Sequence, residues 1–178
     1  MKFVKTPIEG LLSIEPAVFS DSRGSFFESF SAREFVQHAA DFTFVQDNQS
    51  HSSKNVLRGL HFQRPPYEQG KLVRVVKGAV WDVAVDIRPG SETFGKFFAE
   101  ELSETNRRMF WIPPGFAHGF LTLADDTIFI YKCTGYYNKE SESGIRFDDP
   151  ALRIPWNVSD PLVSDKDKQL PYLHEIKF

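Results

Sequence analysis

Two side chains near the middle of the chain have the types and the spacing needed to move a proton next to a carbonyl group. His61 lies close to the end of residues 55–63, and Lys71 opens an apolar run at 70–76 after a turn that contains proline and glycine. An imidazole with an ordinary pKa of about 6.5 can accept a proton near neutral pH, and an ammonium group beside it can stabilise an oxyanion. We therefore predict that His61 and Lys71 face each other across a hairpin and serve proton abstraction beside a carbonyl.

The length and composition predict one globular domain that spans residues 1–178, because about 100 to 200 residues per domain is usual. Hydrophobic residues are 41% of the chain and charged residues are 25%, which is typical of a protein with a single packed core. The net charge of -3 comes from 21 basic and 24 acidic residues that are intermixed. This balance argues against binding to duplex nucleic acid or to an anionic membrane.

The cysteine content and the first residues predict a cytoplasmic protein. Cys133 is the only cysteine, so no intrachain disulfide can form, and residues 1–7 lack the apolar core of a secretion signal. No apolar stretch approaches the roughly 20 residues that are needed to cross a bilayer. We therefore expect no membrane association.

Strands dominate the predicted secondary structure. Between 73 and 87 the apolar residues fall on odd positions, and this period of two, broken at Gly78, predicts a strand, a bend and a second strand with one face in a core. Further strands are predicted at 11–18, 25–30, 43–47, 96–102, 108–112, 119–123 and 127–133. One short helix, the longest in the chain, is predicted after Ser31, which forms a capping-box pattern with Glu34. The sequence is thus typical of an all-β sandwich or barrel with a few short helices.

Six stretches of this sequence resemble the dTDP-4-dehydrorhamnose 3,5-epimerases, which are cupin-type enzymes of the dTDP-L-rhamnose pathway. The stretches are FVQDN at 44–48, VLRGLHFQ at 56–63, QGKLV at 69–73, DVAVDIR at 82–88, IPPGFAHGF at 112–120 and YK at 131–132. The resemblance covers nearly the whole chain. It implies a cupin-like jelly-roll β-barrel, a homodimer and an enzyme that needs no cofactor.

The resemblance also implies a substrate and three catalytic roles. The family's substrate is dTDP-4-dehydro-6-deoxy-D-glucose, and the carbons inverted are C3 and C5, which flank the C4 ketone. His61 matches the base, Lys71 matches the group beside the C4 oxygen, and Tyr131 matches the acid on the opposite face. Considered without the resemblance, a lone histidine is more often structural, Lys71 could be a solvated strand-end lysine, and Tyr131 could equally belong to the core.

Asp167 allows two interpretations. The resemblance implies that Asp167 hydrogen-bonds the base and holds its imidazole in the useful tautomer, as the third member of a catalytic triad does. The local sequence, with Ser164 three residues earlier, instead favours a place in the first turn of a capped helix.

His118 lies in a stretch that is also similar to the second cupin motif, where a histidine would bind a metal. Metal-binding cupins offer further histidines and a glutamate in the first motif, but here His61 is followed by Phe62 and Gln63. Because a metal site cannot be assembled from these stretches, we predict no metal and interpret His118 as a substrate contact, with Asp82 as its hydrogen-bond partner.

Positions that contact the nucleotide sugar in the family match seven residues besides the catalytic four and His118. They are Arg23, Glu28, Gln46, Asn48, Arg58, Glu142 and Lys166. Asp47, between Gln46 and Asn48, is expected to contribute mainly through its backbone. Arginine side chains can bind pyrophosphate oxygens in a bidentate way. No glycine-rich phosphate-binding fingerprint occurs, so side chains are predicted to hold the phosphates.

Three other functions remain open at this stage. Relatives that invert only C3 or only C5 share most of the motifs. A metal-dependent cupin oxygenase and a catalytically silent sugar-binding cupin are the alternatives from other classes. The combination of His61, Lys71 and Tyr131 argues against the last, since a binding protein needs no opposed base and acid.

Overall fold

A computed structural model describes residues 1–39 and 41–177. Within these residues the chain forms fourteen strands, two short α-helices and a 3₁₀ helix at Leu173–Glu175. The strands are β1 Lys2–Lys5, β2 Leu12–Glu15, β3 Val18–Asp21, β4 Gly24–Phe27, β5 Gln46–Ser52, β6 Val56–Gln63, β7 Lys71–Lys77, β8 Ala79–Asp86, β9 Phe97–Ser103, β10 Met109–Ile112, β11 Phe116–Thr122, β12 Thr127–Cys133, β13 Glu142–Gly144 and β14 Leu162–Val163. The helices are α1 Ala32–His38 and α2 Asp165–Lys168.

Two six-stranded sheets build the body of the fold. The first sheet has the strand order β1-β2-β10-β7-β12-β5. The second has the order β13-β6-β11-β8-β9, and β14 joins it beside β6 in the one parallel pairing among the described residues. Strands β3 and β4 form a separate hairpin. Antiparallel sheets that face each other with crossovers between them make a jelly-roll barrel, so the predicted cupin-like all-β fold is confirmed.

Buried side chains of the described residues form three clusters. The barrel interior lies between the sheets and includes Val73, Phe110 and Phe129. A second cluster lies on the outer face of the second sheet, where the C-terminal segment covers it. A third lies on the outer face of the first sheet, where Phe35 of α1 packs on Trp111 with ring centroids 4.8 Å apart. Each sheet is therefore covered on both faces.

Coverage on both faces corrects the prediction that residues 73–87 bury only one face. In β8 the odd residues Val83 and Val85 pack in the outer cluster, while Val80 and Ala84 pack in the barrel interior. The alternation is still visible in the sequence because Asp82, which also points into the barrel, is polar. The pattern therefore misled the prediction at Asp82, a charged residue at an even position that is buried rather than exposed to solvent.

Several predicted elements are correct and several are displaced. Helix α1 begins as predicted, because the side chain of Ser31 accepts a hydrogen bond from the backbone of Glu34, and it is the longest helix in the described residues. The strand predicted at 11–18 is wrong as one element, since β2 ends at Glu15 and β3 begins at Val18 with Pro16 between them. The strand predicted at 43–47 begins only at Gln46, and β1 was not predicted.

Candidate active site

A cavity of about 560 Å³ opens between the two sheets. It brings together eight of the residues predicted to act on a substrate, which arrive from five strands and from α2. These residues are Asn48, Arg58, His61, Lys71, His118, Tyr131, Lys166 and Asp167. The cavity is therefore the candidate active site.

His61 and Lys71 do not face each other across a hairpin, which corrects the prediction. His61 lies on β6 in the second sheet and Lys71 on β7 in the first, so the turn between them crosses from one sheet to the other. Tyr131 also lies in the first sheet, where it is paired with Val73. His61 thus approaches the cavity from one sheet, and Lys71 and Tyr131 approach it from the other.

Asp167 is held against His61 by a short hydrogen bond. Oδ1 of Asp167 lies 2.7 Å from Nε2 of His61, and Oδ2 accepts a hydrogen bond from the backbone N–H of Gly59 at 3.2 Å. The backbone N–H of Asp167 in turn donates to Oγ of Ser164, which caps α2. Asp167 therefore lies in the capped turn and also hydrogen-bonds His61, so the two expected placements are compatible, and its catalytic role stays a prediction.

The environment of Asp167 favours its charged form. Burial by itself raises the pKa of this carboxyl, but the hydrogen bond and the charge of His61, together with the Gly59 N–H, outweigh burial and bring the pKa below its usual value. An ionised Asp167 accepts the proton on Nε2 of His61. Nδ1, which has no hydrogen-bond partner in the described part of the chain, then carries a lone pair that can act as a base.

Lys71 and Tyr131 lie side by side across the cavity from His61. The Nζ atom of Lys71 is 6.0 Å from the centre of the Tyr131 ring. Burial lowers the pKa of Lys71 and raises the pKa of Tyr131, since both charged forms lose solvation. The tyrosine therefore stays protonated at neutral pH and can donate. Burial works against the charge on Lys71, but an ammonium at this buried position interacts more strongly with a nearby negative charge than one in water.

His118 is buried next to the cavity and is paired with Asp82, as predicted. Its Nε2 lies 2.9 and 3.0 Å from the two carboxylate oxygens of Asp82. Burial lowers the pKa of His118, although the charge of Asp82 acts in the opposite direction. The geometry fits a neutral imidazole that donates its Nε2–H to Asp82.

No group of three or more His, Cys, Asp or Glu side chains that could hold a metal ion occurs in residues 1–39 and 41–177. The expectation that no metal or other cofactor is used stays a prediction. In the same residues, no helix has the length and apolar character required to span a membrane.

Six of the residues predicted to contact a nucleotide sugar fall into three groups. Asn48, Arg58 and Lys166 line the cavity. Gln46 and Glu142 lie beside it, since Gln46 hydrogen-bonds Asn48 and a carboxylate oxygen of Glu142 is 2.6 Å from Nζ of Lys166. Asp47 points away from the cavity and forms a surface ion pair with Lys132.

Arg23 and Glu28 are not brought to the cavity of their own chain. Arg23 lies in the turn of the β3–β4 hairpin, where its side chain is 89% exposed and pairs with Asp21. Glu28 follows β4 and is exposed as well. These two residues need a different explanation from the rest of the predicted set.

Two serines of β5 were missed by the sequence analysis. Ser50 lines the cavity and its buried hydroxyl has no partner in the described residues, while the hydroxyl of Ser52 accepts hydrogen bonds from the guanidinium of Arg58. Both lie on the same face of the strand as Asn48, so the period-two pattern that starts at Gln46 contained the signal. The strand predicted at 43–47 ended before Ser50 and Ser52, so the two serines were not recognised as part of the same face.

Known proteins are similar to this chain over nearly its full length. The sequence model of a family described as dTDP-4-dehydrorhamnose 3,5-epimerase matches residues 5–175. The enzyme of that name from Escherichia coli (strain K12) is 52% identical over 179 residues, which cover 99% of this chain and 96% of that protein. The one from Shigella flexneri is 52% identical over 168 residues, covering 94% and 93%. The crystal structure of dTDP-6-deoxy-D-glucose-3,5-epimerase RmlC from Legionella pneumophila Philadelphia 1, in complex with dTDP-4-keto-L-rhamnose, is 48% identical, covers 99% of this chain and 94% of that one, and has a TM-score of 0.95.

Proposed function

The chain belongs to the dTDP-4-dehydrorhamnose 3,5-epimerase family, whose members are isomerases acting on carbohydrates, and we propose that it inverts both C3 and C5 of dTDP-4-dehydro-6-deoxy-D-glucose to give dTDP-4-dehydro-L-rhamnose. The observation that carries the proposal is the opposition of the His61–Asp167 pair to Lys71 and Tyr131 across one cavity. Inversion at a carbon next to a ketone requires removal of a proton from one face and return of a proton to the other.

His61 removes the proton in the proposed mechanism. Asp167 fixes the tautomer with Nε2 protonated and stabilises the imidazolium that forms when Nδ1 takes up the substrate proton. Gly59 and Ser164 hold the carboxylate and the turn that carries it, so they position the base without touching the substrate.

Lys71 and Tyr131 complete the reaction from the opposite sheet. Loss of the proton next to the C4 ketone leaves an enolate, and the ammonium of Lys71 stabilises the negative oxygen more strongly at this buried position than it would in water. Tyr131 then delivers its proton to the face opposite His61. Inversion thus results from the positions of His61 and Tyr131 on opposite faces of the sugar, rather than from a difference in their acidity.

The nucleotide is held by side chains in this proposal. The guanidinium of Arg58 and the ammonium of Lys166 supply positive charge at the cavity, and Asn48 supplies an amide. The side chains of His118, Gln46 and Glu142 complete the proposed contacts, and Asp47, whose side chain points away, contributes through its backbone. The relative from Legionella pneumophila, which binds dTDP-4-keto-L-rhamnose, supports a ligand of this class.

The protein acts as a homodimer in this proposal, with Arg23 and Glu28 serving the cavity of the partner subunit. The β3–β4 hairpin pairs with neither sheet, and its residues Phe19 and Phe26 are 67% and 69% exposed. Exposed aromatic side chains on one element are typical of a surface that another subunit covers. A hairpin seated on the partner would carry Arg23 to a second cavity.

Deuterium incorporation in heavy water tests the proposed activity. The purified protein is incubated with dTDP-4-dehydro-6-deoxy-D-glucose and a chelator, and the sugar is followed by mass spectrometry and proton NMR. Label at both C3 and C5 with inversion is the expected result. Label at only one carbon would instead identify a single-carbon epimerase, and no label from a folded sample would contradict the proposal as a whole.

A further inference from the structure

A second buried carboxyl group lies behind Asp82, and the proposed mechanism does not use it. Glu100 is directly opposite Asp82 in the antiparallel pairing of β8 with β9. Directly opposed residues of a sheet point to the same face, with Cβ atoms roughly 4.5 to 5.5 Å apart. That face is the barrel interior, since Leu102, two positions further along β9, packs there. Both residues are buried.

The two oxygens of Glu100 have different environments. Oε2 accepts a hydrogen bond from the hydroxyl of Ser13 at 2.8 Å. Oε1 is buried and has no hydrogen-bond partner in the described part of the chain. A buried carboxylate oxygen without a donor is costly, whereas a protonated oxygen is itself a donor, and the carboxyl group directly opposite on the neighbouring strand is that of Asp82.

The charged groups around Glu100 do not supply a full counter-charge. Nη1 of Arg108 is 3.9 Å from Oε2, which is too long for a hydrogen bond. Arg108 is also shared with Glu15 of β2, whose Oε1 accepts from Nη2 at 3.2 Å. Asp82 on β8 adds a negative charge from the other side. An ionised Glu100 would therefore face two carboxylates and only part of one guanidinium.

We propose that Glu100 is a neutral carboxylic acid that shares one proton with Asp82, and that this carboxyl pair positions His118 in the active-site cavity. With Glu100 neutral, Asp82 is the single negative charge of the pair and keeps both oxygens on Nε2 of His118. Ionisation of Glu100 would place two carboxylates against each other inside the barrel and repel Asp82 from that position. Glu100 is a positioning residue, because it lies opposite Asp82 and is not among the residues that line the cavity.

The titration of Glu100 agrees with this geometry. Burial, followed by the charges of Asp82 and Glu15, raises the pKa of Glu100 to about 7, while Ser13 and Arg108 lower it by less. Because the pKa is raised on folding, the contribution of Glu100 to stability is complete below its unfolded value of 4.5 and is lost as the pH rises through about 7. The carboxyl pair thus changes its state inside the physiological pH range.

The proton can be observed directly on the unchanged protein. A buried carboxylic acid has an infrared C=O stretch that is distinct from that of a carboxylate, and this band is expected at about pH 6 and should be gone at about pH 8.5. The band should be missing in Glu100→Gln and present in Glu101→Gln, which removes the exposed carboxylate of the next residue on β9. A wild-type spectrum without the band at pH 6 would overturn the carboxyl pair, whatever the variant does.

The positioning role rests on the proposed function and has its own test in the pH profile of kcat/KM. Glu100→Gln mimics the neutral acid, so at about pH 6 it is expected to keep activity within about twofold, and at about pH 8.5 to exceed wild type on the order of tenfold. Glu101→Gln should follow wild type throughout. If the melting temperature of Glu100→Gln loses its pH dependence while kcat/KM keeps that of wild type, the pair is structural only and the positioning role is wrong. A protein without epimerase activity at any pH would contradict the proposed function, and the infrared measurement would still decide on the pair.

Discussion

Nε2 of His61 lies 2.7 Å from Oδ1 of Asp167, although the two residues are 106 positions apart in the sequence. The distance is typical of a charge-assisted hydrogen bond. Gly59 binds the second carboxylate oxygen, so Asp167 cannot turn away without the loss of two hydrogen bonds. Asp167 thus fixes the orientation of the imidazole through Nε2, which leaves Nδ1 available for the substrate.

Asp167→Asn is expected to reduce kcat by about 10³ to 10⁴-fold while the fold is retained. An amide can donate its N–H to Nε2, which favours the wrong tautomer, with the proton on Nδ1. Steady-state kinetics of the epimerisation measure the loss. The matched control is Asp165→Asn on the same helical turn, where the side chain is 94% exposed, and it should leave kcat unchanged. Equal losses in both variants would show that the effect comes from α2 rather than from the tautomer.

The hydrogen bond between His61 and Asp167 also predicts that the protein loses stability at acid pH. Since the folded pKa of Asp167 is below its usual value, the stability that it contributes is present above about pH 4 and is lost as the pH falls through the folded value. Between about pH 5 and pH 2, the free energy of unfolding, measured by circular dichroism, should therefore fall less in Asp167→Asn than in wild type. A variant with the same slope of stability against pH as wild type between about pH 5 and pH 2 would argue against this linkage.

His61→Ala and Tyr131→Phe are expected to differ in proton exchange. Without His61 no base remains on its face, so deuterium should enter neither C3 nor C5. Without the Tyr131 hydroxyl the base can still remove and return a proton on one face, so some label should enter while inversion is impaired. NMR and mass spectrometry in heavy water measure both quantities. The exposed Tyr136→Phe serves as the control, and equal loss of exchange in the two active-site variants would contradict the assignment of opposed faces.

Lys71→Met should lower kcat more than it changes KM, because the ammonium is expected to act mainly on the enolate. Loss of one oxyanion-stabilising group typically costs about 10² to 10³-fold in kcat. The control is Lys77→Met at the other end of β7, whose ammonium makes a surface ion pair with Asp126 at 3.5 Å and should contribute little. A rise in KM at unchanged kcat would assign Lys71 to substrate binding instead.

The periodicity of the sequence predicted most of the barrel strands, and it failed where short elements meet. Residues 127–133 form β12 with the predicted bounds. At 11–18 the pattern runs continuously through Pro16, so the change from the first sheet to the β3–β4 hairpin left no signal in the alternation. The covering of both sheet faces also depends on the C-terminal segment, whose contacts join residues far apart in sequence and have no local period.

The motifs predicted the family and most of the residues that line the cavity. The residues that hold those side chains in place were revealed only by the structure. The predicted resemblance is confirmed by the family match. Nothing in the local sequence at Ser164 indicates that its capped turn points toward His61, because only the tertiary fold brings them together. The partner of His118 was predicted from chemistry, whereas the burial of Glu100 was hidden because a glutamate on a strand is usually at the surface.

Gly59→Ala is expected to destabilise the protein far more than Gly90→Ala. Both glycines have positive φ, 117° and 79°, so both substitutions strain the backbone by about 1 to 2 kcal/mol. A Cβ at Gly59 would in addition lie 2.6 Å from the Cα atom of Gly119, whereas a Cβ at Gly90 meets nothing within 4 Å. Urea unfolding should give a loss of more than about 3 kcal/mol for Gly59→Ala. Similar losses for the two variants would mean that β6 and β11 can separate at little cost.

The position of Arg23 predicts complementation between two inactive variants. Arg23→Ala and His61→Ala are each expected to be inactive or strongly impaired as homodimers. In a mixed dimer, the subunit that keeps His61 receives Arg23 from its partner, so one of the two cavities is complete. Random mixing by co-expression and refolding should thus restore about a quarter of wild-type activity.

A cis arrangement gives the opposite result, since every cavity of the mixed dimer would lack one of the two side chains. Arg33→Ala is the matched control because Arg33 is also exposed but lies on α1, outside the hairpin. Its homodimer should be fully active, and its mixture with His61→Ala should simply reflect the fraction of intact His61. Sedimentation of the wild type as a monomer, or no recovery in the Arg23→Ala mixture after subunit exchange has been verified with tagged chains, would show that the exposed hairpin does not serve a second subunit.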